Sequence, residues 1–507
     1  MEHRAAIRAF IVACFALAPM VVFLPLGCRP AEEPGPPPEF NVILISVDTL
    51  RADHLNCYGY QKRRLSRNID ALAADGILFE NCITSSPWTT PAHMTMLTSL
   101  YPTAHGITQT VKELRDSLEQ EAQFNRLPDS RLTLAEVLKA NGYATGAFTG
   151  GGTMDPRIGF DQGFDRYASS MHKLHNYSMR EMNEWIDHHA ERPFFLFWHT
   201  FEVHPPYIDG TYLDEVLPPE TAAEVRGFLQ DTERRFTYRA PTLDEQYNTV
   251  ERSKTFLNDK QIYNAEVCEA LYDGGIASMD SWLGDFLRRL RLRGLYDRSL
   301  IILTSDHGEE FEDHLRGAIY AAHGHSVYDE MVRVPLIIKL PHRQFAGMRI
   351  TSTARMIDLM PTVLDVLGIR RRPKDMQGLS LRPLWEQPDT PHGRLAVSEA
   401  LAAMSEKKAV RTERYKFMYS LDPDTVAKHG RNYVPDHLEN TELYDLHADP
   451  KESTNLLESP RSGQIAELAA ALEQHLRDFA KQPQGKADTV ELDEETIENL
   501  RALGYLD

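Results

Sequence analysis

The stretch NVILISVDTL (41–50) is an almost unbroken apolar run that stops at a carboxylate, Asp48. A strand with one wet face would alternate apolar and polar residues. A run without alternation suits a strand buried on both faces, as in the interior of a parallel sheet. In open α/β sheets the ligand-contacting residues gather at the carboxyl ends of the strands, so Asp48 stands at a candidate site. The theme recurs twice. Phe194–Trp198 opens into His199, Glu202 and His204, and Leu300–Leu303 leads to Ser305-Asp306-His307. This repetition predicts an α/β protein with a large, mainly parallel mixed sheet and one active-site edge. Helical spacing over Asn68–Asp75, Leu132–Ala140 and Glu266–Arg293 supplies the flanking helices.

A second stretch, SPWTTPAHMTMLTSLYPTAHG (86–106), sets Thr89 two residues before Pro91 and four before His93, with a helix-compatible apolar run behind. A strand-to-helix turn of this kind lifts a hydroxyl out of the backbone and aims helix N–H groups at an anion. Read alone, it fits a Ser/Thr-Pro helix cap with a core-facing Met/Leu side better; its company elsewhere in the chain is what points to a nucleophile. Asp48, Asp306 and His307 are hard or borderline ligands suited to a divalent cation, and Thr89 completes the sphere through its oxygen. Such a cation lowers the hydroxyl's pKa and stabilises charge on phosphoryl or sulfuryl oxygens.

NVILISVDTLRADHLNCYGY (41–60), TTPAHMTMLTSLYPTAHG (89–106), LIILTSDHGEEF (300–311) and HGHSVYDEMVRVPLII (323–338) occur in that order. As an ordered set they closely resemble the sulfatase family of the alkaline-phosphatase superfamily. TLAEVLKANGYATGAF, FDQGFDRY, MIDLMPTVLDVLGI and ELYDLHADPKESTNL extend the resemblance from about residue 40 to the end. It implies the alkaline-phosphatase-like fold with a smaller C-terminal α+β domain. It implies an ester hydrolase, and it puts Asp48, Asp306 and His307 on the family's metal-ligand positions. His204 falls where the family keeps a histidine contacting the ester or leaving group. His323 falls where related enzymes place a basic residue on the transferred group. One divalent ion is implied, calcium by resemblance, with a second, to which Glu202 would contribute, left open.

Two departures bear on the chemistry. The family's nucleophile is a Cys or Ser, matured to formylglycine within Cys/Ser-x-Pro-x-Arg; here Thr89 takes that position and His93 replaces the arginine. The register with Ser85 or Ser86 as nucleophile fails on the downstream spacing. The family also carries two adjacent aspartates after the first strand, whereas Asp48 is followed by Thr49, which favours zinc or manganese over calcium. A metal-bound threonine is the nucleophile of the superfamily's phosphodiesterases and phospho-group transferases. Two activities therefore follow: a metal-dependent hydrolase of sulfuric esters by family, or a phosphodiesterase, phosphonate hydrolase or phospho-group transferase by nucleophile. A catalytically silent binding protein would not need Asp48, Thr89, Asp306 and His307 together at the sheet edge, whereas an ester hydrolase uses them, with Thr89, His93, His204 and His323 as the candidate catalytic residues.

The remaining sequence bounds the setting. The 507 residues, 42% hydrophobic and 9% aromatic, suffice for one large and one smaller domain, and a formal charge of -19 argues against nucleic acid as partner. Residues 1–28 read as an export signal, with LPLGC suggesting a lipidated Cys28 and an uncleaved membrane anchor as the alternative. Residues 29–40 form a Pro-rich linker, 41–395 the catalytic domain with a cap insertion at about 208–264, and 396–507 a C-terminal subdomain with a helical tail. The expected location is exported, periplasmic or membrane-anchored facing outward. The expected partner is a sulfate- or phosphate-ester small molecule, glycan or lipid head group. Outside the signal, Cys57, Cys82 and Cys268 show no metal spacing, and a Cys57–Cys82 bridge is permitted without being required.

Overall fold

In the computed structural model, Asn41–Val47 forms the central strand, β1. The structure describes residues 39–491 except 109–122, 151, 171–174, 238–251, 315–321, 389, 391, 402–405, 430–439, 459–462 and 483–484. The export signal, most of the linker and the tail therefore lie outside the described residues, as does part of the cap. The described residues fall in one compact unit.

Successive β1 side chains enter opposite layers: Val42 and Leu44 join one apolar cluster, Ile43, Ile45 and Val47 the other. This is why the strand reads as a continuous apolar run. Its neighbours are β6 (Phe194–Thr200) and β7 (Ser299–Thr304), both parallel to it. The same split recurs there, with Phe195, Phe197, Leu300 and Ile302 on one side and Phe194, Leu196, Ile301 and Leu303 on the other.

Among the described residues the full sheet has nine strands, and β3 (Gln123–Arg126) lies outside it, paired with Asp488–Glu491. β4 (Ala144–Gly150) and β5 (Arg166–Ser170) continue it beyond β6. On the far side of β7 come β8 (Arg333–Lys339), β2 (Ile77–Ile83), β9 (Met348–Ile350) and β10 (Ala354–Arg355). Only β8 runs against the rest, being antiparallel to both β7 and β2. The carboxyl ends of β1, β2, β4, β6 and β7 therefore share one edge.

Helix α1 (Arg67–Ala74) and the long helix Ala265–Leu292 cover one face. Asn264 caps the long helix, its side chain accepting from Val267 N at 3.0 Å. Residues of the cap region, Leu217, Val225 and Leu229, join that same core. Helix α2 (Thr89–Thr98) lies in the other layer, buried along its whole length. β11 (Ala396–Ala400), β12 (Glu406–Arg411), β13 (Tyr415–Leu421) and β14 (Thr441–Asp445) form a separate antiparallel sheet, covered by the helix Gly463–Ala480. Asp329, from the 323–338 motif, binds Lys416 at 3.0 Å and Arg411 of this sheet, so that part of the motif secures packing. The permitted disulfide does not form: Cys57, Cys82 and Cys268 are free thiols, and Cys82 is buried with its sulfur 3.6 Å from Met356.

Candidate active site

Four side chains meet at the shared edge. Asp48 follows β1, and its amide donates to Thr200 O at 3.0 Å, so the carboxylate is held at the mouth of the β1–β6 pair. Asp306 and His307 follow β7. Their loop is tied to β1, with Leu50 N donating to Ser305 Oγ at 2.9 Å and Ser305 Oγ to His307 O at 2.7 Å. Gly308 is required here because a Cβ would lie 1.8 Å from Glu330 O. Thr89 arrives from β2 as the first residue of α2, a position whose backbone N–H has no intrahelical acceptor. Its Oγ1 is 3.3 Å from Asp48 Oδ2 and 3.4 Å from His307 Nε2. All four side chains are completely buried.

Lone-pair accounting decides which atoms face a cation. His307 Nδ1 donates to Gly308 O at 2.9 Å, leaving Nε2 as the basic atom; it lies 3.4 Å from Asp306 Oδ2 and 3.8 Å from Asp48 Oδ1. Among the described residues, those two carboxylate oxygens accept no hydrogen bond. Burial, and for Asp306 also the charge of Asp48, pushes both carboxyl pKa values up to about 7, and burial holds the His307 imidazole well below its usual range. Two buried carboxylates beside a neutral imidazole and a hydroxyl fit a divalent cation, which would compensate the charge that burial disfavours. Asp48, Asp306 and His307 are one of the described groups whose ligand atoms converge within 4.8 Å.

A second convergent group, His93, His199 and Asp306, does not fit a metal. His93 Nδ1 must donate to the carbonyl of Thr89 (2.9 Å), so its Nε2 accepts from Ser46 Oγ at 2.9 Å. His199 Nδ1 accepts from Gly150 N at 3.1 Å, so its Nε2–H donates to Asp48 Oδ2, also at 3.1 Å. Burial pulls His93 down to about 4 and His199 to about 3, so both rings are neutral. They brace Thr89 and Asp48 from behind. The third group, Glu310, His314 and Glu330, fails likewise: His314 donates from Nδ1 to Glu330 at 2.8 Å and from Nε2 to Glu452 O at 3.3 Å.

His204 and His323 lie beside these groups. Their rings are 5.0 Å apart, and His323 lies 4.6 Å from the His307 ring. His204 Nδ1 donates to Pro205 O. His323 Nδ1 lies 3.1 Å from Glu309 Oε1; burial lowers the pKa of this imidazole, but the Glu309 charge more than offsets that and leaves it raised. Thr49, at the position of the family's second aspartate, has φ +58° and turns its amide to Asp306 Oδ1 at 3.3 Å. Glu202 belongs to none of the converging groups among the described residues. Lys339 ends the antiparallel strand β8 at the opposite edge, donating to the carbonyls of Tyr296 and Ser299, and Arg333 donates to Glu80 O. Ser46, Glu309 and Tyr207 escaped the sequence reading; only the position of Glu309, two residues past His307, offered a local signal.

A mostly parallel sheet that gathers these groups at one edge defines the alkaline-phosphatase-like class of α/β ester hydrolases. Within that class the chain belongs to the sulfatase family: the sulfatase model matches residues 40–369, and the N-sulphoglucosamine sulphohydrolase C-terminal model matches residues 323–482. The ulvan-active sulfatase of Formosa agariphila is 24% identical over 501 residues, covering 94% of this chain and 89% of that protein. A solved structure holding its substrate D-glucosamine-2-N,6-O-disulfate superposes with a TM-score of 0.64 at 20% identity, covering 88% of this chain and 98% of the other. The phosphonate monoester hydrolase of Agrobacterium radiobacter superposes at 0.60 and 22% identity, covering 87% and 96%.

Proposed function

We propose that this chain is a divalent-metal-dependent hydrolase of sulfuric esters in which Thr89 Oγ1 is the nucleophile. The observation that carries this reading is the Thr89 hydroxyl, held between Asp48 Oδ2 and His307 Nε2 at the N-terminus of α2. Asp48, Asp306, His307 and Thr89 would hold the cation, which supplies Lewis-acid stabilisation of the nucleophile and of the esterified group. Asp48 Oδ2 accepts the hydrogen bond from Thr89 and is the local acceptor for its proton. His93 fixes the first turn of α2 through the Thr89 carbonyl, in place of the family's arginine. His323 donates a proton to the leaving oxygen, and His204, beside it, contacts the ester. Water entering in line then releases the covalent ester of Thr89.

The same hydroxyl favours a second reading at phosphorus. Formylglycine expels sulfate by breaking a carbon–oxygen bond of its hydrate, and a threonine has no such exit. A phospho-threonine is resolved by water or a second alcohol, which suits phosphate esters and phosphonates. Sulfated sugars are the candidate substrates on the first reading, since relatives of this chain act on ulvan or bind a disulfated glucosamine. No helix among the described residues is long and apolar enough to cross a membrane, and we place the enzyme outside the cytoplasm through residues 1–28. The test is a panel of aryl sulfate, phosphate monoester, phosphate diester and phosphonate substrates with zinc, manganese or calcium supplied. Metal-dependent turnover of the sulfate supports the first reading and of the phosphorus esters the second. No turnover of any, with no bound divalent ion, defeats both.

A further inference from the structure

Glu309 has no relative exposure, and among the described residues no lysine or arginine pairs with its carboxylate. Its Oε1 lies 3.1 Å from His323 Nδ1, and its Oε2 accepts from the Tyr207 hydroxyl at 3.1 Å. Arg51, the nearby guanidinium, is committed elsewhere: Nη1 donates to the Glu309 carbonyl at 2.9 Å and to Asp313 at 2.7 Å, and the Nε side pairs with Asp53. A carboxylate taken fully out of water, with an imidazole and a phenol as its partners among the described residues, is costly, and packing alone would be better served by a neutral residue. Both oxygens are spoken for, one by the ring and one by a hydroxyl that stops the carboxylate from rotating. His323 is thereby fixed as an Nδ1–H donor to Glu309, so the nitrogen left for the ester is Nε2.

We propose that Glu309, clamped by Tyr207, is the positioning residue that aims His323 Nε2–H at the leaving oxygen. This rests on the assignment of His323 in the preceding section. In the step concerned, Thr89 Oγ gives up its proton to Asp48 Oδ2 and bonds to sulfur or phosphorus, and the bond from that atom to the leaving oxygen breaks. The leaving oxygen keeps the electron pair and takes the proton from His323 Nε2. The His323 ring is cationic before the step and neutral after it, and Glu309 keeps its hydrogen bond to Nδ1–H throughout.

The test compares Glu309→Gln, Tyr207→Phe, His323→Gln and the double variant Glu309→Gln/His323→Gln on 4-nitrophenyl and phenyl sulfate, or on the matching phosphates where turnover is at phosphorus. Proton donation matters most for the poorer leaving group. Glu309→Gln should lower kcat/KM for the phenyl ester by about 10–100-fold while changing the 4-nitrophenyl ester only a few fold. Tyr207→Phe, which leaves the ion pair in place, should show the same selectivity more weakly and serves if Glu309→Gln fails to fold. Adding Glu309→Gln to His323→Gln should cost nothing further. Equal loss on both esters, or a further loss in the double variant, overturns the inference. Full activity of Glu309→Gln beside an impaired His323→Gln overturns the role of Glu309 alone. Full activity of His323→Gln removes the assignment of His323 and this inference with it.

Discussion

Thr89 Oγ1 stands 3.3 Å from Asp48 Oδ2, joining two residues 41 positions apart in sequence at the sheet's carboxyl edge. Thr89→Ala removes nucleophile and ligand oxygen together, and turnover should fall by at least about 10³-fold. Thr89→Ser keeps a hydroxyl in nearly the same place and should retain part of the activity. Thr89→Cys, co-produced with the formylglycine-generating enzyme, should gain sulfate-ester hydrolysis if the native reaction is at phosphorus. Unchanged turnover in Thr89→Ala would remove the nucleophile from the scheme.

Asp306→Asn takes one charge from the cation set while keeping the acceptor for His307 N and Thr49 N. Activity should drop by about 10²–10⁴-fold, with bound metal lost and the melting temperature of the metal-free protein unchanged or raised. A matching collapse of fold and activity would make Asp306 structural.

Metal affinity should rise with pH through about 7. Asp48 and Asp306 have folded pKa values raised by burial from 3.8 to about 7. A raised pKa means that the folded metal-free state holds protons the unfolded chain has released. Its stability is therefore complete below 3.8, falls across the window from 3.8 to about 7, and levels off above. A cation replaces those protons, so the gain in Tm from added zinc or manganese should be larger at pH 8 than at pH 5.5. A gain of equal size at both values would contradict the ligand set.

His314 predicts the alkaline side. It stacks on Tyr328 at 3.7 Å and donates to Glu330 and to the Glu452 carbonyl, joining the site loop to the segment after β14. Burial lowers its pKa, but the Glu330 hydrogen bond and charge outweigh this and raise it from 6.5 to about 9. The stability it contributes is complete below 6.5 and lost as pH rises through about 9. His314→Gln should cost on the order of 1–3 kcal/mol at pH 6 by denaturant titration, and less at pH 10. A pH-independent cost would mean that the ring acts only by packing.

Cys28→Ser should release the protein from the membrane fraction without changing turnover, if Cys28 carries the lipid. Retention in that fraction would assign anchoring to the apolar run before it.

The sequence by itself determined the strands that matter and what each one delivers. Continuous apolar runs at 41–47, 194–198 and 300–303 meant burial on both faces, and the alternation of Val42 and Ile43 between two core layers is that property in space. Asp48, His199, Asp306 and His307 were legible because strand ends project local residues to a common edge. What each histidine does there was decided only by tertiary structure. His93 and His307 are both buried and neutral, and each donates Nδ1–H to a carbonyl, Thr89 O and Gly308 O; what differs is Nε2, which accepts from the Ser46 hydroxyl in His93 and faces the carboxylates in His307. Glu309 became visible only when Tyr207, 102 positions away, closed on it. Helix α1 gives a parallel case: Asp280, from the long helix, accepts from Asn68 N and Ile69 N, a cap no local pattern announces. Apolar periodicity is a local property of the chain, so sequence carries it. The proton placement of an imidazole or a buried carboxylate depends on acceptors and donors that only folding brings within 3 Å.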